Sequence, residues 1–200
     1  MEKQFLPFLS VTGFLVFIAV VFIIAVLYSL YVKLIKQKNT VAEAFSGVDV
    51  QLKKRYDLIP NILVIANKFM EHERELLEGI TALRSQAANL PADLSKANEK
   101  FEIDNKISSM MGQLRVQVEN YPQLKSDQTM IQAMQTYEEQ EAHIAAARSF
   151  YNAAVKELNN SVEIFPSSLV AALIGIKSAP FIQAAEQERE RVDASQYFTK

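Results

Sequence analysis

From Gln4 to Val32 the chain carries no charged residue, and Phe8–Val32 within that stretch is almost wholly apolar. A helix of ~25 such residues is roughly 37 Å long, enough to cross the ~30 Å hydrocarbon core of a bilayer with some tilt. A cleaved secretory signal has a shorter apolar core of ~7–15 residues, followed by a small-residue cleavage site. Here the stretch runs on through Tyr28-Ser29-Leu30-Tyr31-Val32 into Lys33. An uncleaved transmembrane helix over residues 8–32 is therefore expected, with the lipid bilayer as its partner.

The flanking charges set its orientation. Lys3 is opposed by Glu2 before the span, whereas Lys33, Lys36 and Lys38 follow it, with Lys53, Lys54 and Arg55 further on. The positive-inside bias places the N-terminus outside and the rest of the chain in the cytoplasm, in a single pass of the cell (inner) membrane. Tyr28 and Tyr31 fall at headgroup level. The chain has no Cys, which excludes disulfides and fits either compartment.

About 165 residues remain after the span, enough for one domain with its own core. The net charge of −2 lacks the basic excess of a nucleic-acid binder. With 5 Gly and 6 Pro among abundant Ala, Gln, Glu, Leu and Lys, the composition favours helix over sheet. Apolar residues recur at spacings of three and four from Val41 to Ala87, from Leu94 to Val118, and from Leu124 to Phe165. The first stripe predicts a helix of ~49 residues, roughly 73 Å long, with Thr40 and Glu43 as a capping box. A bend or short break is expected at Pro60. Pro91, Pro122 and Pro166 end or open the stripes. Long helices joined by short turns make an all-α antiparallel bundle, and the spacing near 3.5 predicts coiled-coil-like packing. The expected segments are 1–7, a short N-terminal piece; 8–32, the span; 33–39, a basic juxtamembrane linker; 40–182, the bundle; and 183–200, a polar helix or tail.

Val50-Gln51-Leu52-Lys53-Lys54-Arg55-Tyr56-Asp57-Leu58-Ile59-Pro60-Asn61 closely resembles the LemA family, as do Asn120-Tyr121-Pro122-Gln123-Leu124-Lys125 and Ala147-Arg148-Ser149-Phe150-Tyr151-Asn152. His72-Glu73 and Phe165-Pro166 extend the likeness over about residues 38–182. The resemblance implies a bacterial single-pass membrane protein with an N-terminal anchor and a helical-bundle domain, and it carries over no catalytic residue.

Enzymatic and metal chemistry find little support. A di-iron bundle needs Glu-x-x-His pairs, yet Phe69 stands three residues before His72 and Gln140 three before His143. There is no Gly-x-Ser-x-Gly elbow and no Gly-rich phosphate loop. No catalytic, metal or cofactor site is assigned.

The informative polar residues lie on the apolar stripes: Arg55, Glu73, Glu141 and Arg148. Buried in opposite-charge pairs they would select helix register; on drifting stripes they would snorkel to water. Tyr56, Asp57, Pro60 and Asn61 form a candidate hinge, where a proline frees carbonyls that Asn61 or Arg55 could serve. The apolar segment Leu169–Ile176, with Leu169, Leu173, Ile174 and Ile176, is too short to span a membrane. It either caps the bundle or offers a patch for a partner or a membrane surface, and an odd number of helical passes would place it far from the bilayer. Two functions follow: a scaffold that self-assembles as a homo-oligomer, aided by the small pair Ala25 and Ser29, or an adaptor that docks another membrane protein such as a protease or sensor.

Overall fold

A computed structural model describes residues 5–182, with side chains from Thr12 onward. The polar helix or tail expected over 183–200, and most of the segment 1–7, lie outside the described residues. The elements are α1 (Phe5–Ala66), α2 (Arg74–Asn89), α3 (Ala97–Val118), α4 (Pro122–Lys125), α5 (Gln128–Glu163) and α6 (Ser167–Ile174), with single 3-10 turns at Glu71–Glu73 and Leu94–Lys96. No strand occurs among the described residues. They divide into two units, 5–43 with 153–179 and 44–152 with 180–182.

In the first unit, α1 is the one helix among the described residues long and apolar enough to cross a membrane, an 18-residue window of it having a mean hydropathy of 2.9. Phe14, Phe17, Phe22 and Ile24 are all exposed on it, so the apolar surface goes all round, as a lipid-facing helix requires. The helix continues without interruption through the basic residues Lys33, Lys36 and Lys38. Thr40 does not cap a new helix: its hydroxyl donates to the Lys36 carbonyl at 3.0 Å, the back-bonding of a threonine inside a helix. Val170 and Ala171 of α6 pack on Leu34 of α1, with Leu30, Val162 and Ile176 completing the cluster. Gly175 ends α6 in the left-handed region, φ 71°. There Gly175 N–H donates to the Ala172 carbonyl and Ile176 N–H to that of Ala171, the two bonds of a Schellman turn. Asn159 of α5 then clamps the returning chain, its amide both donating to and accepting from the backbone of Ala179.

The second unit holds four long helical passes. Arg84 meets Tyr56, so α2 runs back along α1. Phe45 meets Phe101 and Tyr56 meets Asp104, so α3 runs parallel to α1. Gln51 meets Gln140 and Phe45 meets Tyr151, so α5 returns antiparallel. This is up-down-up-down bundle order. Val48, Leu52, Ile59, Ile62, Ile80, Ile107, Leu114 and Ile144 fill its core. Asp127 opens α5 by accepting from Met130 N–H at 2.9 Å, a cap of the ordinary acidic kind.

The first apolar stripe is therefore two passes and not one helix. The break lies at residues 67–73, where Lys68 and Phe69 N–H bond three residues back and fully buried Met70 pins the turn. No break occurs at Pro60, which α1 passes through. With an even number of passes, the chain returns in the first unit to Leu30 and Leu34. α6 packs on Leu34, two residues past the uncharged stretch of α1, which is not where an odd number of passes would put it.

Candidate functional site: a closed charge cluster and two exposed apolar surfaces

Arg55 is fully buried in the core of the second unit, an environment that a cation tolerates only when paired and hydrogen-bonded. Its Nη2 pairs with Asp104 Oδ1, also fully buried. Its Nη1 donates to Glu141 Oε1 at 2.5 Å and to Ser108 Oγ at 3.0 Å. The second oxygen of Asp104 accepts from Arg148 Nη2 at 2.5 Å, and Tyr56 Oη donates to Oδ1 at 3.0 Å. The rings of Tyr56 and Tyr137 lie 5.9 Å and 5.8 Å from the guanidinium carbon, within cation–π range. Two cations and two carboxylates thus compensate each other across α1, α3 and α5. Glu141, 39% exposed, is the member most open to solvent, and Arg148 is 13% exposed.

Burial pushes the Tyr56 hydroxyl up to about 12, with Arg55 pulling the other way. Burial likewise raises the Tyr137 hydroxyl, again against Arg55. Both phenols stay protonated at neutral pH, suited to donating a hydrogen bond rather than to acid–base exchange.

Pro60 has no N–H, so the carbonyl of Tyr56 loses its helical donor. The replacement comes from α2: Arg84 Nε donates to that carbonyl at 2.7 Å, and its Nη2 lies 3.9 Å from Asp57. Neither Asn61, which is exposed, nor Arg55, which is committed to the core, serves it. Arg84→Ala is expected to cost about 1–2 kcal/mol by leaving the carbonyl open. In a Pro60→Ala background, which restores the N–H, most of that loss should vanish. Guanidinium unfolding of the four proteins of this double-mutant cycle measures the difference.

Of the residues singled out in the sequence, Arg55, Glu141 and Arg148 converge on one cluster. Glu73 stands apart in the turn before α2, lining a shallow groove with Leu76, Gly112 and Val116. Asp104 and Ser108 were not among those singled out, and Tyr137 stood only as one position of the third apolar stripe. Asp104 carried a readable signal: it follows Phe101 by three and precedes Ile107 by three, which puts a carboxylate on an apolar face. Leu169, Leu173 and Ile174 are exposed, whereas Ile176 is half-buried against the cluster of Leu34, Val170 and Ala171. In the second unit a groove lined by Leu63, Val64, Leu77, Arg74 and Glu78 flanks the break between α1 and α2. Among the described residues no three His, Asp or Glu side chains group as metal ligands.

Residues 44–195 match the model of the LemA family. The chain is 28% identical over 177 residues to Protein LemA of Metamycoplasma hominis, covering 86% of this chain and 80% of that one. It is 25% identical over 188 residues to the magnetosome proteins MamQ 1 and MamQ 2 of Paramagnetospirillum magneticum, covering 83% of this chain and 69% of each.

Proposed function

The chain belongs to the LemA family, and we propose that this membrane-associated protein is a non-enzymatic scaffold that self-assembles at the bilayer. In this reading residues 8–32 span the cell membrane, residues 33–39 carry the basic charge at its cytoplasmic surface, and the bundle stands in the cytoplasm, as the lysine asymmetry favours. The closed charge cluster is the observation that supports it. Arg55, Asp104, Glu141 and Arg148 spend their charge on each other, holding the register of three helices. Exposed apolar residues such as Val64, Val116 and Phe150 lie on the outer faces, where protein contacts form.

The adaptor reading draws on the groove beside the α1–α2 break, whose mixed apolar and charged lining suits an amphipathic helix of a partner membrane protein. In-cell crosslinking, mild-detergent purification and mass determination of the complex separate the two. A fixed multiple of this chain alone is expected for the scaffold. A stoichiometric second protein would overturn self-assembly in favour of the adaptor.

A further inference from the structure

We infer that α6 is a second membrane contact, lying in the headgroup layer of the bilayer that α1 spans. The inference rests on the reading of α1 as a membrane span. α6 is docked at a defined depth: Val170 and Ala171 pack on Leu34, with Leu30 beside them. Leu30 lies inside the uncharged stretch, and Leu34 stands two residues, about 3 Å, past its end at Val32. The headgroup region adds about 5–8 Å on each side of the hydrocarbon core, so a helix packed on Leu34 sits within it.

The chemistry of α6 fits that depth. From Ile164 to Ile176 no residue is charged, and Glu163 and Lys177 bracket the run. The face turned away from Leu34 is apolar: Phe165 is 74% exposed, Leu169 59% and Leu173 85%. Leu169 and Leu173 are one helical turn apart and share a face. Eight residues are too few to cross a bilayer, but an apolar-faced helix held beside a span can lie in the interface plane. Continuity with the apolar surface of α1 names the occupant as lipid. A face this apolar held at headgroup depth meets acyl chains before it meets a soluble partner.

The absence of Cys from the sequence makes a direct test possible. Single-cysteine variants of the full chain, Leu173→Cys, Leu169→Cys, Ile24→Cys and Lys156→Cys, are labelled with a small environment-sensitive fluorophore. They are then reconstituted at low protein density into phosphatidylcholine–phosphatidylglycerol vesicles. Nitroxide placed near the headgroup end of the acyl chain probes lipid contact, and aqueous iodide probes water contact. The labels at Leu173 and Leu169 are expected to be quenched severalfold more by the lipid nitroxide, and severalfold less by iodide, than the label at exposed Lys156. If the Ile24 label is quenched by lipid while both α6 labels answer to iodide, the inference is overturned and the span stands. α6 labels shielded from both quenchers would overturn it in favour of a protein cover, a second copy included. An Ile24 label insensitive to lipid would overturn the membrane reading of α1 and the inference with it.

Discussion

Replacing Asp104 with leucine is expected to lower the unfolding free energy by about 3–5 kcal/mol, the loss seen when one partner of a buried ion pair is removed. Asp104 is the hub of the cluster: Arg55, Arg148 and Tyr56 all point at its carboxylate. Without it the fully buried Arg55 keeps Glu141 at the rim and Ser108, and its second nitrogen loses its counter-charge. The double variant Arg55→Met, Asp104→Leu should recover most of the loss, because paired apolar replacements of a buried ion pair are often neutral or better. Unfolding of the full chain in mild detergent, followed by circular dichroism, reads both. A loss below about 1 kcal/mol for Asp104→Leu would mean that water reaches Arg55 and that the pair behaves as an exposed one.

The second large effect is expected at Phe101. Its ring sits 6.1 Å from Phe45 at 81° and 6.4 Å from Tyr151 at 58°, so three helices meet in one aromatic contact. Tyr151 is fully buried and its hydroxyl donates to the Pro180 carbonyl at 2.9 Å, which ties the returning chain to the same point. Phe101→Ala removes the middle ring and leaves a cavity, a change worth about 3–5 kcal/mol. Phe150→Ala is the internal comparison. Phe150 adjoins Tyr151 in sequence but is 60% exposed, and its truncation should stay within about 0.5 kcal/mol. Equal losses at the two positions would contradict the packing described.

Helix type, the long apolar N-terminal helix and the core faces were legible in the residues, because apolar content and spacing decide them: Val48, Leu52, Ile59 and Ile62 lie on the predicted stripe and are buried. The number of passes was not. Asn67–Met70 contains no Gly or Pro, so nothing local announces the turn, which burial of Met70 fixes from a distance. At Pro60 the short break does not occur. The proline's missing N–H is a local defect that predicts a break, and Arg84, 28 residues along the chain from the Tyr56 carbonyl it bonds, repairs it. Arg55, Glu141 and Arg148 stood out as charges on apolar stripes, but that they meet at Asp104 depends on the register of three helices, which only tertiary packing sets. The amide clamps of Asn152 on Ile182 and of Asn159 on Ala179 were invisible for the same reason. An asparagine on a helix gives no sign of whether backbone or water faces it.

The sequence distances within the charge cluster bear on how the bundle comes together. Arg55 lies 49 residues from Asp104 and 86 from Glu141, and Asp104 lies 44 from Arg148. A pairing of α1 with α5 alone would set Arg55 and Arg148 against the single carboxylate of Glu141, and one of α3 with α5 alone would leave Asp104 and Glu141 to one cation, each at the cost of incomplete compensation. A subset of the helices is therefore penalised where the complete set is not, and the intermediate stages are left thinly populated. The cluster thus adds little to the depth of the native well and much to the steepness of its walls: it makes assembly of the bundle cooperative.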